Sequence, residues 1–168
     1  MHSFLLDASA LVKRYAPEVG TPLVNHLFAS VTPDRLIMLN LGIAEVVSVL
    51  VRKKNDGRIT PSAISQALLT FGAEVVDSPD FKKVEIDNRV VTSCLPLVKA
   101  HSLNATDAII LRSALDITAA LRTAGHDLVL VASDQRLLRA ATAEGMLTFN
   151  PEVDSTAGLD AFVASGPS

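Results

Sequence analysis

The sequence predicts an α/β fold, a parallel sheet flanked by helices on both faces, and three observations carry that prediction. Short apolar runs at 4–6, 36–39 and 128–132 show no polar alternation, which is how a strand buried on both faces reads. Segments of helical length and spacing separate them in turn, as crossovers between parallel strands require. A carboxylate follows two of those runs, Asp7 after the first and Asp134 after the last. In open parallel sheets the crevice beyond the strand ends is where ligands bind.

Residues 4–6 form the first strand, and 8–15 have the composition of a helix following at once. Pro17 and Gly20 mark a turn, after which Leu23, Val24, Leu27 and Phe28 recur at helical spacing. Thr32, Pro33 and Asp34 end that helix before the second strand, 36–39. A third helix covers about 42–54 and stops at Asn55, Asp56 and Gly57, with Arg52, Lys53 and Lys54 complementing the negative end of its dipole. Thr60 is the N-cap of the next, with Pro61 at its first position. Ile64, Ala67, Leu68 and Phe71 give this helix an apolar stripe, and Ile64, Leu68 and Phe71 are either a candidate contact surface or ordinary core.

Residues 83–86 alternate polar with apolar, as an edge strand does. The segment 90–100 is helical with a kink or a break at Pro96. Asn104 to Asp107 open a long helix that runs to about Thr123 and stops at Gly125. After the strand at 128–132, a helix at 135–144 and a short strand at 146–149 complete the alternation. Residues 1–154 form one domain, and 155–168, small and polar, are expected to be a weakly held tail.

With 168 residues and 49% hydrophobic content, the chain fills one core. A formal charge of −3 supplies no global basic field, so contact with nucleic acid must come from local patches. Cys94 is the only cysteine, which excludes an intrachain disulfide and fits a reducing compartment. The longest apolar region, 36–51, carries Asn40 and Glu45 and falls short of the ~20 residues of a membrane span. A soluble, cytoplasmic protein with no membrane partner is expected.

Four carboxylates stand out. Asp7 is equally a helix cap and a site residue by its position. Glu45 sits among Ile43, Val46, Val47 and Val49 in a helix apolar all round, and a carboxylate buried there needs a basic partner, a shared proton or a metal. Asp107, in the first turn of its helix, and Asp134, after its strand, each have a structural explanation when taken alone. Taken together they do not: parallel topology brings strand ends to one edge, and four carboxylates gathered there repel one another unless a divalent cation holds them. Oxygen-only ligands favour Mg²⁺ or Mn²⁺.

The segments L-L-D-A-S-A-L-V-K-R-Y, A-E-V-V-S-V-L, N-A-T-D-A-I-I-L and V-L-V-A-S-D-Q-R-L-L-R-A-A, closed by E-G-M-L-T-F-N-P, resemble the PIN-domain family, and most of all its VapC-type toxins. The resemblance spans residues 3–151. It implies a PIN-like three-layer sandwich with a central parallel sheet in the order 3-2-1-4-5, and maps the family's four acids onto Asp7, Glu45, Asp107 and Asp134. Ser9, Thr106 and Ser133 match polar positions that support such a site or simply cap helices. The activity implied is that of a Mg²⁺- or Mn²⁺-dependent endoribonuclease, the toxin of a toxin–antitoxin pair, with a small antitoxin as partner and a homodimer as assembly. The alternative, a PIN-like module that binds RNA or protein without cutting, would be marked by loss of an acid, and all four are present. A haloacid-dehalogenase phosphotransferase would need an Asp where this chain has Ser9. Lys13, Arg14, Arg52, Lys53, Lys54 and Arg58 are candidates for an RNA path or members of an ordinary solvated face. His2, His26, His101 and His126 lie outside the motifs and read as surface or structural.

Overall fold

A computed structural model, described for residues 1–164, shows how these segments assemble. Five strands, β1 (His2–Leu6), β2 (Leu36–Leu39), β3 (Lys82–Val84), β4 (Asp127–Val131) and β5 (Leu147–Phe149), form one sheet in the order β3-β2-β1-β4-β5. Every pairing is parallel, with β1 in the middle, Leu6 opposite Val131 and Leu5 opposite Ile37. The strands read as continuous apolar runs because both faces are covered. Phe4, Leu6, Met38, Val129 and Val131 enter one core, and Leu5, Ile37, Leu39, Leu128 and Leu130 enter the other.

The first core is closed by α1 (Ala8–Tyr15), α2 (Thr21–Ser30), α3 (Asn40–Asn55) and α4 (Pro61–Phe71), through residues such as Leu11, Leu27, Leu50 and Phe71. The second is closed by α5 (Asn88–Ser93), α6 (Leu95–His101), α7 (Ala105–Thr123) and α8 (Gln135–Ala143), through Cys94, Leu97, Leu111 and Leu137. None of the described helices is long and apolar enough to cross a membrane.

Where the structure departs from the sequence expectation, a local reason is visible. The helical stretch around Pro96 is two helices, and Pro96 sits in the first turn of the second, where its missing N–H leaves no bond unmade. The edge strand starts one residue earlier than expected and is shorter, and its Lys83 turns away from the sheet. The ammonium of Lys83 forms no ion pair among the described residues and donates to the carbonyls of Val75, Val76 and Ser78 at 3.1, 3.0 and 2.6 Å. The first two of those carbonyls belong to a π-helical turn, Gly72–Val76, that extends α4 and that no periodicity announces. The stripe offered as a contact surface is core: Ile64 and Phe71 are buried and Leu68 packs against the same cluster.

The tail is also a correction. Residues Thr156–Ala164 form α9, which packs on α2 with Leu159 fully buried and Phe162 and Val163 against the first core. His26 meets Asp160 at 2.7 Å, and His2 Nδ1 lies 3.0 Å from the carbonyl of Phe162. The last four residues of the expected tail, 165–168, lie outside the described residues.

Candidate active site

The four acids come from four separate elements. Asp7 is the first residue beyond β1, and its N–H donates to Val131 O at 2.9 Å, prolonging the β1–β4 pairing by one bond. Its backbone is extended, and its carboxylate caps α1 by accepting from Ser9 N at 2.9 Å. The hydroxyl of Ser9 donates to the same oxygen and accepts from Ser133 N at 2.9 Å. Ser9 therefore joins the ends of β1 and β4. Asp134 caps α8, accepting from Arg136 N at 2.8 Å and Leu137 N at 3.1 Å. Asp107 is in the first turn of α7, where Asn104 both caps the helix through Asp107 N at 2.8 Å and donates its side-chain amide to Asp107 Oδ2 at 2.9 Å. Glu45 projects from the second turn of α3.

All four line one cavity of about 380 Å³, with Ser9, Ser48 and Arg52. Capping and convergence are thus both true of Asp7 and Asp134. The carboxyl groups also feel one another. Burial pushes Asp7 up against the opposing hydrogen bonds of Ser9, and the charge of Asp134 adds to the rise. Glu45 is raised by burial, then by Asp7 and Asp107, with Arg52 opposing. Asp107 is raised to about 6 by burial and by Asp134 and Asp7, with Arg136 opposing. Such mutual elevation is what closely spaced carboxylates produce, and it is concentrated at functional sites.

The acids stand around the wall of the cavity instead of meeting at a point. Among the described residues no group of three or more His, Cys, Asp or Glu side chains is placed to hold a metal ion as it stands. The donor chemistry nevertheless fits a hard divalent cation: four carboxylates, no nitrogen or sulfur, and a mutual repulsion that a cation relieves.

Of the supporting positions, Ser9 lines the cavity, whereas Thr106 does not. Ser133 contributes its N–H to Ser9, while its own Oγ is buried without a hydrogen-bond partner among the described residues. Ser48 and Asn104 were not singled out as site residues. Ser48 was findable, since Glu45, Ser48 and Arg52 follow at i, i+3 and i+7 and so share a face of α3. The basic residues separate sharply. Lys13, only 3% exposed, bridges Glu18 at 3.1 Å and Glu152 at 2.5 Å, and Lys53 pairs with the other oxygen of Glu18. Arg14 clamps Glu74 at 2.6 and 2.7 Å, and Arg58 pairs with Asp56 at 2.8 Å. Of the six basic candidates only Arg52 lines the acidic cavity.

In sequence, the family model described as PIN domain matches residues 4–143. No curated protein matches the chain. Among solved structures, PAE2754 from Pyrobaculum aerophilum is similar with a TM-score of 0.60 at 21% identity, over 98% of this chain and 96% of that one. FitAcB from Neisseria gonorrhoeae gives a TM-score of 0.61 at 16% identity, over 90% of this chain and 99% of its own. FitAB bound to an IR36 DNA fragment gives 0.61 at 16%, over 90% and 97%. At these identities the likeness is one of fold.

Proposed function

The chain belongs to the PIN domain family, and from that premise we propose that it is a Mg²⁺- or Mn²⁺-dependent endoribonuclease, the toxin of a VapBC-type toxin–antitoxin pair. PIN domains are generally nucleases and typically use divalent metal ions. The observation that carries the proposal is the gathering of Asp7, Glu45, Asp107 and Asp134, from four elements, around one cavity in which three of them have raised pKa values.

In this reading Asp7, Glu45 and Asp107 hold the cation, and Asp134, engaged with the first amides of α8, is the outer donor. When bound, the cation supplies a polarised water and neutralises charge that develops on the phosphoryl oxygens. Ser9 fixes the orientation of the Asp7 carboxylate, and Asn104 that of Asp107, so the donor set is aimed by its neighbours. Arg52, which forms no ion pair among the described residues and whose charge opposes the rise of Glu45, offers the one positive side chain of the cavity's lining to a phosphate. Neither His nor Cys is needed as a nucleophile. A small antitoxin, a homodimer and a cytoplasmic location belong to the same reading, and the likeness of fold to FitAB agrees with it.

The test is cleavage of single-stranded RNA by the purified protein in chelator and in Mg²⁺. Asp7→Asn, Glu45→Gln and Asp107→Asn should each lose more than about a hundredfold in rate, beyond what loss of a residue that merely supports a metal costs, with their melting transitions intact. Asp134→Asn should be milder. A folded Asp7→Asn variant with full activity would end the proposal.

A further inference from the structure

A second cavity, of about 330 Å³, lies between α8 and the chain that follows β5. Gln135 lines it, and the preceding residue, Asp134, lines the acidic cavity, so the two cavities meet the start of α8 at adjacent residues. Because β5 runs parallel to β4, Asn150 just beyond it faces the same edge of the sheet as the acids.

The lining of this second cavity combines the donors of Gln135, Arg139 and Asn150 with one carboxylate, Asp154, which already accepts from Asn150 N. Asn150 is 6% exposed, and its Oδ1 accepts from Glu152 N at 2.9 Å, which fixes the orientation of the amide. Its Nδ2 is buried and has no hydrogen-bond partner among the described residues. A buried donor left in that state is costly, and the cost disappears when an acceptor arrives. Exposed Arg139 also lines the cavity and makes neither hydrogen bond nor ion pair among the described residues. Leu138 and Val153 supply apolar wall, and Val153 is 72% exposed although nothing in the sheet requires it to be. The acidic cavity by itself repels a polyanion, so affinity for RNA needs cationic and donor groups beside it.

We propose that this cavity seats one unstacked nucleotide of the RNA strand next to the scissile phosphate, a base acceptor (carbonyl oxygen or ring nitrogen) taking the hydrogen bond of Asn150 Nδ2 while Arg139 meets the adjoining phosphate. Apolar side chains and unsatisfied amides are the means by which proteins read bases splayed from single strands. The inference rests on the ribonuclease reading for its substrate class, but its test does not need cleavage.

Short single-stranded RNA oligonucleotides, differing in one base at a time, are titrated in chelator against Asp7→Asn, a variant unable to cut, and against the same protein also carrying Arg139→Ala or Asn150→Asp. Asn150→Asp keeps the acceptor that Glu152 N uses and removes the donor. It also brings a charge near Asp154, whose carboxylate accepts from Asn150 N at 2.7 Å, so its melting is compared first, and if it unfolds the exposed Arg139 and Gln135 positions carry the test. Arg139→Ala should weaken binding of every sequence roughly tenfold, the scale of one charge-assisted hydrogen bond. Asn150→Asp should weaken binding of every sequence as well. Unchanged affinity in Arg139→Ala together with unchanged affinity in Asn150→Asp or Gln135→Ala overturns the inference, even if the protein is a ribonuclease. Binding that depends on these residues in a protein that never cuts RNA would uphold it while removing the nuclease reading.

Discussion

Asp107 sets the pH interval over which the acidic cavity changes character. Its pKa, raised from 3.8 to about 6, means that the folded protein binds a proton there more tightly than the unfolded chain does. The resulting stability is complete below the unfolded value and is lost as pH rises through about 6. Glu18 and Glu74 work in the opposite sense. Burial raises Glu18, but the bonds from Lys53 and Lys13 outweigh it, and Arg14 holds Glu74 down, so their contributions are lost as pH falls. Both belong equally to the wild type and to Asp107→Asn, and cancel between them. The expected outcome is that, in chelator, the melting temperature of the wild type falls relative to Asp107→Asn between about pH 4 and 7. Cleavage in Mg²⁺ should rise over the same interval, because carboxyl groups must lose their protons to hold a cation. At this scale the acids were legible, since a carboxylate after a buried strand or inside an apolar helix is conspicuous. The cations were not. Lys13 and Lys53 look like a solvated face until Glu152, 139 residues from Lys13, closes on the first and Glu18, 35 residues from Lys53, on the second, and no local pattern reports partners that distant.

The element that most escaped the sequence is α9. Its apolar residues Leu159, Phe162 and Val163 stand at i, i+3 and i+4 among threonine, alanine, glycine and aspartate, a stripe of barely one turn, and a helix that short owes its place to packing on α2. Leu159→Ala should therefore destabilise the protein by about 2–5 kcal/mol, the range for a fully buried leucine, in urea unfolding. A change within experimental error would return the segment to the status of a loose tail. The turn beside it shows how tightly the first core is drawn. Gly20 has φ 91°, and a Cβ there would stand 2.9 Å from Pro151 O, so only glycine lets the α1–α2 connection approach the chain after β5.

For the molecule as a whole, the parallel sheet is what turns dispersed acids into a cluster. The alternation of strands and helices made the sheet's parallel character legible, but alternation does not specify strand order, and 3-2-1-4-5 came only from the likeness to a known family. Gathering the acids costs the metal-free fold repulsion, and a cation that binds the folded state alone recovers it by mass action, worth about 2.7 kcal/mol at a hundred times its Kd. Mg²⁺ should raise the wild-type melting temperature progressively. Asn caps a helix about as well as Asp, so Asp7→Asn should melt at or above the wild type in chelator and gain little from Mg²⁺. A mutant that is weaker in chelator and answers Mg²⁺ as the wild type does would leave Asp7 a cap alone.

The bond between His2 and Phe162 has a further result. Arg35 binds the carbonyls of both His2, at 2.8 Å, and Val163, at 3.4 Å, so the start of β1 and the end of α9 are held within one side chain's reach. Asp7 lies at the other end of β1, about 17 Å away at the rise of a strand. Residues 2 and 163 are thus held together at the edge of the sheet opposite the acids. A circular permutant that links residue 164 to residue 2 through a short flexible spacer, and opens at the exposed Asp56 and Gly57 turn, should keep its fold by circular dichroism and its cleavage in Mg²⁺.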